Sequence, residues 1–585
     1  MSAAEQVVLE KRRPASDFTQ WPAAAWRAAS RHHGLVALVI YAALAAFWDR
    51  SSLAHLGSVC PCGLPGDPAQ YAWGFVWFPH ALFNGLSLLH TRAMWAPTGI
   101  NLAGATATPL LAFVFAPVTW LWGPRVAIDL AWILAPITAA WSAYWLCRYV
   151  TRAPWAALLG GLAYGFGTFE VAHLDGHLHL VMIFCPPLVA LSVLQFLHAR
   201  ISRRRLCGQL LVLLLIQFGI SVEVLFTMSV LGVVGLALGW VFAGPELRGR
   251  IRATVVPIVI AYAGLAVLMS WYIVALLHAN AYATGKGVRF PTDLLSIVTP
   301  EQYTWIGGQR FTSVTNRFIA DRSELNAYIG LPLLLIVVYQ LARRWRRRES
   351  KWFAAMLVIA LFWVLGSHLY VDGHESIWLP YSLFAKLPGF DQVLQGRVAA
   401  YLGLMCAVLL ALWVADSERQ SAARWLAGLA AVAFVLPNLA SPGPRHAGAW
   451  HSPAFFSTGI YKHYLTKGET VLPIRWGWLS ESPLWQAETH MYFNLASGYF
   501  TTVIPPAWRS PLTNDLWSNH PVVKNAYLLR GFVADRHVSD IIVQRADIHR
   551  WSPVLRAAGL HPTATVGGVA VYHITSTWLR GGSRA

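Results

Sequence analysis

The chain has 585 residues, 56% of them hydrophobic and 12% charged, with a formal net charge of +18 and a mean hydropathy of +0.47. That balance excludes an ordinary soluble protein. The basic residues sit in short clusters between apolar runs, where Lys and Arg fix topology, so the charge argues against nucleic acid and leaves anionic lipid headgroups as its natural contact. Six cysteines are too few for a disulfide scaffold. The sequence reads as a polytopic α-helical membrane protein.

A spanning helix needs roughly 20 mostly apolar residues, and such runs recur from Leu35 to about Ala440. Residues 1–33 carry Lys11, Arg12 and Arg13, and no small-residue cleavage site follows the first apolar run, so Leu35 to Trp48 is expected to be a retained helix. Arg27 and Arg31 precede it and put the N-terminus in the cytoplasm, which leaves Asp67 outside. Arg200 with Arg203-Arg204-Arg205 marks an inner turn, so Glu170 to His179 is outside too. The alternation continues through inner turns at Arg248-Arg252 and Arg343-Arg348 and reaches a total of about eleven crossings. Between Asp67 and Glu170 an even number is required, yet three apolar runs are visible: Pro109 to Trp122, Val126 to Leu146 and Trp155 to Phe169. Either one of these does not span, or the aromatic run Tyr71 to Leu89 does. The expected organisation is a cytoplasmic tail (1–33) and a multi-helix membrane domain (34–440). Its outer loops lie near 49–105, 170–179, 279–328 and 370–398, and a small extracytoplasmic α/β domain (441–585) follows.

In that last region Ser539 to Val543 and Gly568 to Ile574 read as strands and Trp551 to Ala558 as a helix ending at Gly559. Its aromatics, from Trp476 to Trp485 and at Tyr492, Phe493, Tyr499 and Phe500, suit either a sugar-stacking surface or a seat for the domain.

The ionisable residues able to do chemistry gather on the outer side: Asp67; Glu170, His173, Asp175, His177 and His179; Lys286 and Arg289; Asp391 and Arg397. Group transfer there needs a carboxylate to take a proton from the attacking hydroxyl and cations or a metal to hold a phosphate leaving group. Each residue also has a plainer use. Gly66-Asp67-Pro68 is a turn signature; the histidines suit the wet end of a helix; Arg397 begins an apolar helix and can anchor in headgroups. Cys60 and Cys62 flank a single proline and read as structural, since a disulfide between them would be strained. Asp129, between Pro124 and Pro136 in an apolar run, is the kind of intramembrane charge that is often functional, whereas Glu223 reads as a helix end.

Four strings carry a resemblance: Gly66-Asp67-Pro68-Ala69-Gln70, Trp95-Ala96-Pro97-Thr98-Gly99-Ile100-Asn101-Leu102, Ala172-His173-Leu174-Asp175-Gly176-His177-Leu178-His179, and Leu387-Pro388-Gly389-Phe390 followed by Arg397. With one helix before a first outer loop, many further helices and a C-terminal outer domain, the chain resembles the GT-C superfamily of integral-membrane glycosyltransferases, which use polyprenyl-phosphate-linked sugars. The resemblance spans roughly the first 440 residues. It implies a hexosyl- or pentosyltransferase with Asp67 as general base and Asp175 or Glu170 as the second-loop acid. Substrate contacts would come from Arg397, Lys286, Arg289, His173, His177, His179 and Gln70. Family members often pair the first-loop acid with another, and here its neighbour is Pro68. A divalent cation (Mg or Mn) at Asp67, His177 and Asp175 therefore stays an open element, and no other cofactor is expected. The implied partners are a polyprenyl-phosphate-linked sugar, an envelope glycan, lipid or protein acceptor, and membrane lipids, with the site facing the periplasm of a bacterial inner membrane. The rival class is a transporter or flippase of a lipid-linked glycan, which would place charges near the bilayer midplane on broken helices; Asp129 is its main support.

Overall fold

The first apolar run forms helix α1 (His33–Trp48). The computed structural model describes residues 32–63, 66–279, 290–416, 422–439, 448–477, 480–500 and 504–581. Cys60 and Cys62 are joined to each other, and the chain then turns at Gly66, whose φ of 134° is open to glycine alone. Helix α2 (Asp67–Phe83) starts there, with Pro68 in its first turn where a missing N–H costs nothing. The aromatic run is thus a buried helix: Tyr71, Trp73, Phe75 and Phe78 are almost fully enclosed.

A short hairpin of β1 (His90–Thr91) and β2 (Ile100–Asn101) follows, then helix α3 (Ala116–Thr151), broken at Gly123, where φ is +87°. From Pro124 to Thr151 it runs on for about 40 Å at 1.5 Å per residue. Helix α4 (Pro154–Gly165) packs back along it. α4 has 12 residues and is not among the helices long and apolar enough to cross a membrane. Both ends of the 67–101 segment rest on the C-terminal region. Tyr499 bonds Asp67, while the Trp95 and Ala96 amides donate to the Ser497 and Leu495 carbonyls.

Among the described residues five helices are long and apolar enough to cross a membrane: α3, Leu178–Leu197, α5 (Val222–Phe242, reached after the short α-helical stretch at 168–173), Pro245–Leu268 and Gln395–Ala415. His33–Trp48, Leu331–Arg343 and Ala422–Val435 are shorter apolar helices. The protein is therefore a multi-pass helical membrane protein. Ser202 and Ser221 open two of the helices by accepting the Arg205 and Val224 amides. A hairpin, β3 (His368–Val371) and β4 (His374–Trp378), lies against the loop at Asp293.

Beyond residue 448 the chain builds a five-stranded sheet in the order β6-β5-β7-β9-β8. Its strands are β5 (Thr470–Pro473), β6 (Asn494–Leu495), β7 (Val538–Gln544), β8 (Ala564–Val566) and β9 (Val569–His573). β5 runs parallel to β6 and β7, and β9 is antiparallel to β7 and β8. Helices Ser482–Glu488 and Arg545–Ala557 cover it. Its aromatics are core, not an open sugar platform: Trp476, Trp485, Phe493 and Phe500 are at most 4% exposed. They seat the sheet on α2, where Phe500 meets Trp73 edge-on at 4.8 Å and Trp73 Nε1 donates to Gln486 Oε1 at 2.6 Å.

Candidate active site

Asp67 occupies the first turn of α2, where the free N–H groups and the helix dipole favour an anion. Its carboxylate accepts a hydrogen bond from Tyr499 Oη at 2.9 Å on Oδ1, and Oδ2 lies 3.8 Å from His177 Nε2. The side chain keeps 22% of its surface open, so it is held but reachable. Burial and the Asp67 charge hold the Tyr499 phenol far above its ordinary value, so it stays a proton donor to Asp67 at any working pH.

The 168–179 segment supplies three histidines, turned by Gly176 at φ +100° and pinned to α3 by Trp132 Nε1 donating to the Leu174 carbonyl. His173 and His177 bring their Nδ1 atoms to 3.4 Å. His173 Nε2 lies 2.9 Å from the Asn326 amide, and burial drives its imidazole well below the usual value, with His177 and Arg397 adding to the effect. His179 Nδ1 bonds the Tyr71 hydroxyl at 2.6 Å, and its Nε2 lies 3.8 Å from Glu223. Arg397 then joins two carboxylates: Nη1 donates to Glu223 Oε2 at 2.8 Å, and Nη2 and Nε donate to Glu324 Oε1 at 2.6 and 3.1 Å. Glu324 sits on a turn capped by Asp321, whose Oδ1 accepts the Ser323 and Glu324 amides.

The structure thus gathers Asp67, His173, His177, His179 and Arg397 into one cluster and adds Glu223, Glu324, Asn326 and Tyr499. Glu223 opens its helix and ion-pairs, where the sequence suggested only a helix end. Glu324 gave no sequence signal beyond an Asp-Arg-Ser-Glu turn in a long polar loop. Other expectations change. Glu170 is fully buried beside Tyr164 and Gln70 is 3% exposed. His173 and His179 are 0% and 3% exposed. Asp175 accepts from Tyr303 Oη at 2.7 Å and lies so close under Gly63 that a Cβ there would collide with it; it fixes the loop before Asp67. Asp391 caps a turn through the Gly389 amide. Lys286 and Arg289 lie outside the described residues. Asp129 is fully buried and satisfied by the Gly57 amide at 2.7 Å and Trp450 Nε1 at 3.1 Å, a clamp between the first outer loop and the approach to the sheet.

The same residues fit a divalent cation, though not the set expected. His173, His177 and Glu324 each offer a ligand atom within 4.8 Å of the others. A 3.4 Å gap between two ring nitrogens matches ligands about 2.1 Å from a tetrahedral ion. The Asn326 oxygen is a buried acceptor with no partner; turned toward His173 Nε2–H, it leaves the Nδ1 lone pair facing His177. Asp67 beyond His177 and Asn326 beyond His173 then have the place of outer partners that orient metal-bound imidazoles. Asp67 and Asp175 are not themselves in this ligand set.

Among solved structures, an Archaeoglobus fulgidus oligosaccharyltransferase in complex with Zn and sulfate is similar over 91% of this chain and 73% of its own, at 12% identity and a TM-score of 0.51. ArnT from Cupriavidus metallidurans bound to undecaprenyl phosphate aligns over 95% and 99% of the two chains at 12% identity and a TM-score of 0.47. Arabinofuranosyltransferase AftD from Mycobacteria aligns over 92% and 41% at 15% identity and a TM-score of 0.48. No curated protein matches. The fold is thus like that of the A. fulgidus protein. Residues 35–387 match the family described as "Domain of unknown function (DUF6311)", and the chain belongs to that family.

Proposed function

We propose that this protein is a glycosyltransferase that moves one sugar from a polyprenyl-phosphate donor to a cell-envelope acceptor on the periplasmic face of a bacterial inner membrane. The observation that carries the reading is the convergence of Asp67, the 173–179 histidines, Glu223, Glu324 and Arg397, from separate segments, under Tyr499 of the C-terminal sheet region. The tail would be cytoplasmic, the chain would cross about eleven times, and residues 441–585 would form an extracytoplasmic α/β domain. The A. fulgidus protein of like fold is an oligosaccharyltransferase crystallised with Zn and sulfate, a cation and an anion of the classes this cluster suits.

In this reading the acceptor hydroxyl gives its proton to Asp67 as its oxygen attacks the anomeric carbon. The new C–O bond forms on the face opposite the departing phosphate oxygen, whose bond to carbon breaks, so one displacement inverts the centre. Arg397 meets the polyprenyl phosphate through its N–H fork. A divalent cation held by His173, His177 and Glu324 would supply further positive charge to the leaving group. The transporter alternative loses its chief support, because the Asp129 carboxylate is occupied by Gly57 and Trp450.

The test is incubation of the purified protein in nanodiscs with a panel of polyprenyl-phosphate sugars, with and without EDTA. Release of polyprenyl phosphate that Asp67→Ala abolishes supports the reading. A folded wild-type protein that releases none from any donor refutes it.

A further inference from the structure

Glu324 belongs to two arrangements at once. Its carboxylate lies with His173 and His177 as a cation ligand, yet its oxygens are taken up by Arg397 Nη2 and Nε. The guanidinium is also tied to Glu223, so one cation faces two carboxylates of which Glu324 is nearly enclosed, at 4% side-chain exposure. A divalent ion entering between the histidines would have to share Glu324 with a fixed positive charge.

Resting on the glycosyltransferase reading, we infer that Glu324 is an exchangeable carboxylate that couples donor phosphate to the cation. In the empty site Arg397 holds it; a phosphate on the Arg397 fork displaces it toward His173 and His177, where the cation takes it up. The physical grounds are geometric and electrostatic. Phosphate and carboxylate satisfy the guanidinium fork in the same bidentate way, so one can replace the other without rearranging the arginine. A displaced, buried Glu324 would be an uncompensated anion, which is costly unless another cation meets it. With Arg397 on the Glu324 oxygens, the carboxylate is free to ligate a metal only once a phosphate has taken the fork. Each ligand therefore removes the obstacle to the other, and linkage requires the effect to be reciprocal. Glu324 is in this sense a positioning residue that acts through Arg397 and the ion.

The measurement is Mn2+ binding to the full-length protein in detergent, followed by the free-ion EPR signal, with and without farnesyl phosphate as the lipid phosphate probe. The expected result is Mn2+ affinity raised at least about fivefold by farnesyl phosphate, the lower end of ordinary coupling, and farnesyl phosphate affinity raised by the same factor with Mn2+. Direct contact between ion and phosphate would also couple them, so two variants discriminate. Glu324→Gln, which frees Arg397, should bind farnesyl phosphate in EDTA more tightly than wild type. Arg397→Lys, which keeps the charge without the fork, should lose most of the coupling. Independent binding of the two ligands, unchanged coupling in Arg397→Lys, or equal or weaker phosphate binding by Glu324→Gln overturns the exchange while leaving the glycosyltransferase reading standing. No binding of farnesyl phosphate at all overturns both.

Discussion

Tyr499→Phe is the most discriminating substitution, because it removes one oxygen and nothing else from the contact between the C-terminal region and Asp67. Tyr499 is 7% exposed, and its hydroxyl donates to Asp67 Oδ1 at 2.9 Å. A hydrogen bond to a charged group contributes about 1.5–3 kcal/mol. Here the lower end applies, since the 22% exposure of the Asp67 side chain lets water take the vacated position. If the bond fixes the carboxylate for proton transfer, losing about 1–2 kcal/mol of that orientation lowers the turnover rate roughly 5- to 30-fold. Donor KM should stay within about twofold, because Arg397 and the histidines are untouched. The assay is initial-rate release of polyprenyl phosphate at saturating donor, with a thermal melt on the same preparation. A folded Tyr499→Phe protein turning over within twofold of wild type would show that the C-terminal region does not position the base. A loss confined to KM would reassign Tyr499 to donor binding.

Asp67→Asn should lower turnover by about two to four orders of magnitude, the usual contribution of a positioned base, with Mn2+ still bound but about 10- to 100-fold more weakly, since Asp67 is an outer partner of His177 and not a ligand; binding and rate measured together test this. Gln486 is fully buried, accepts from Trp73, and donates to the Ala93 and Phe493 carbonyls. Gln486→Ala leaves three groups unpaired and should destabilise the seat of the sheet by roughly 3 kcal/mol or more, seen as early proteolysis of the C-terminal region. In that region burial and mutual repulsion push Glu469 up to about 7 and burial pushes Asp540 up to about 6. A folded carboxyl raised above its unfolded value binds more protons than the open chain, so the contribution of these two groups is whole below about pH 4 and is lost as pH rises through about 6 to 7. Thermal melts across pH 5–8 should show this loss, and Glu469→Gln should flatten it.

The sequence announced what depends on composition and local chemistry. The helices from α1 onward follow from long apolar runs between arginine clusters, β7 and β9 from β-branched runs near Ser539 and Gly568, and Asp67 from a polar carboxylate in the first outer loop. What it did not announce depends on distant partners. Glu324 is one acid among several in a polar loop, and only its meeting with Arg397, His173 and His177 distinguishes it. Glu223 looks like a helix terminus because helix starts commonly carry acids. β5, Thr470–Pro473, is a four-residue strand ending in proline, too short to show periodicity. The aromatics near Trp476 carry the same signal whether they face a sugar or another tryptophan, and packing against Trp95 and Trp508 decided for the core. Asp129 looked functional because intramembrane charges often are; its partners Gly57 and Trp450 are far away in sequence.

The layout divides the work between two bodies of residues. Arg397, Glu223 and His179 lie at or near the starts of apolar helices and are locked to one another by ion pairs and hydrogen bonds, which suits a donor phosphate presented from the bilayer at one depth for every turnover. The C-terminal region touches this machinery at Asp67 through Tyr499, and otherwise rests on α2, the β1–β2 hairpin and the first half of α3, where Trp450 meets Asp129 and Arg125 pairs with Glu488. On the glycosyltransferase reading proposed above, an acceptor reaches Asp67 along that region, whereas the donor does not. Substitutions around Tyr499 and Trp517, whose rings lie 6.3 Å apart, should then change which acceptors are used while leaving donor hydrolysis intact. Changes at Arg397 or Glu223 should alter the donor reaction with every acceptor alike. Paired transfer and hydrolysis rates for both sets of variants separate these cases, and donor hydrolysis falling in step with transfer in the Trp517 variants would show that the division does not exist.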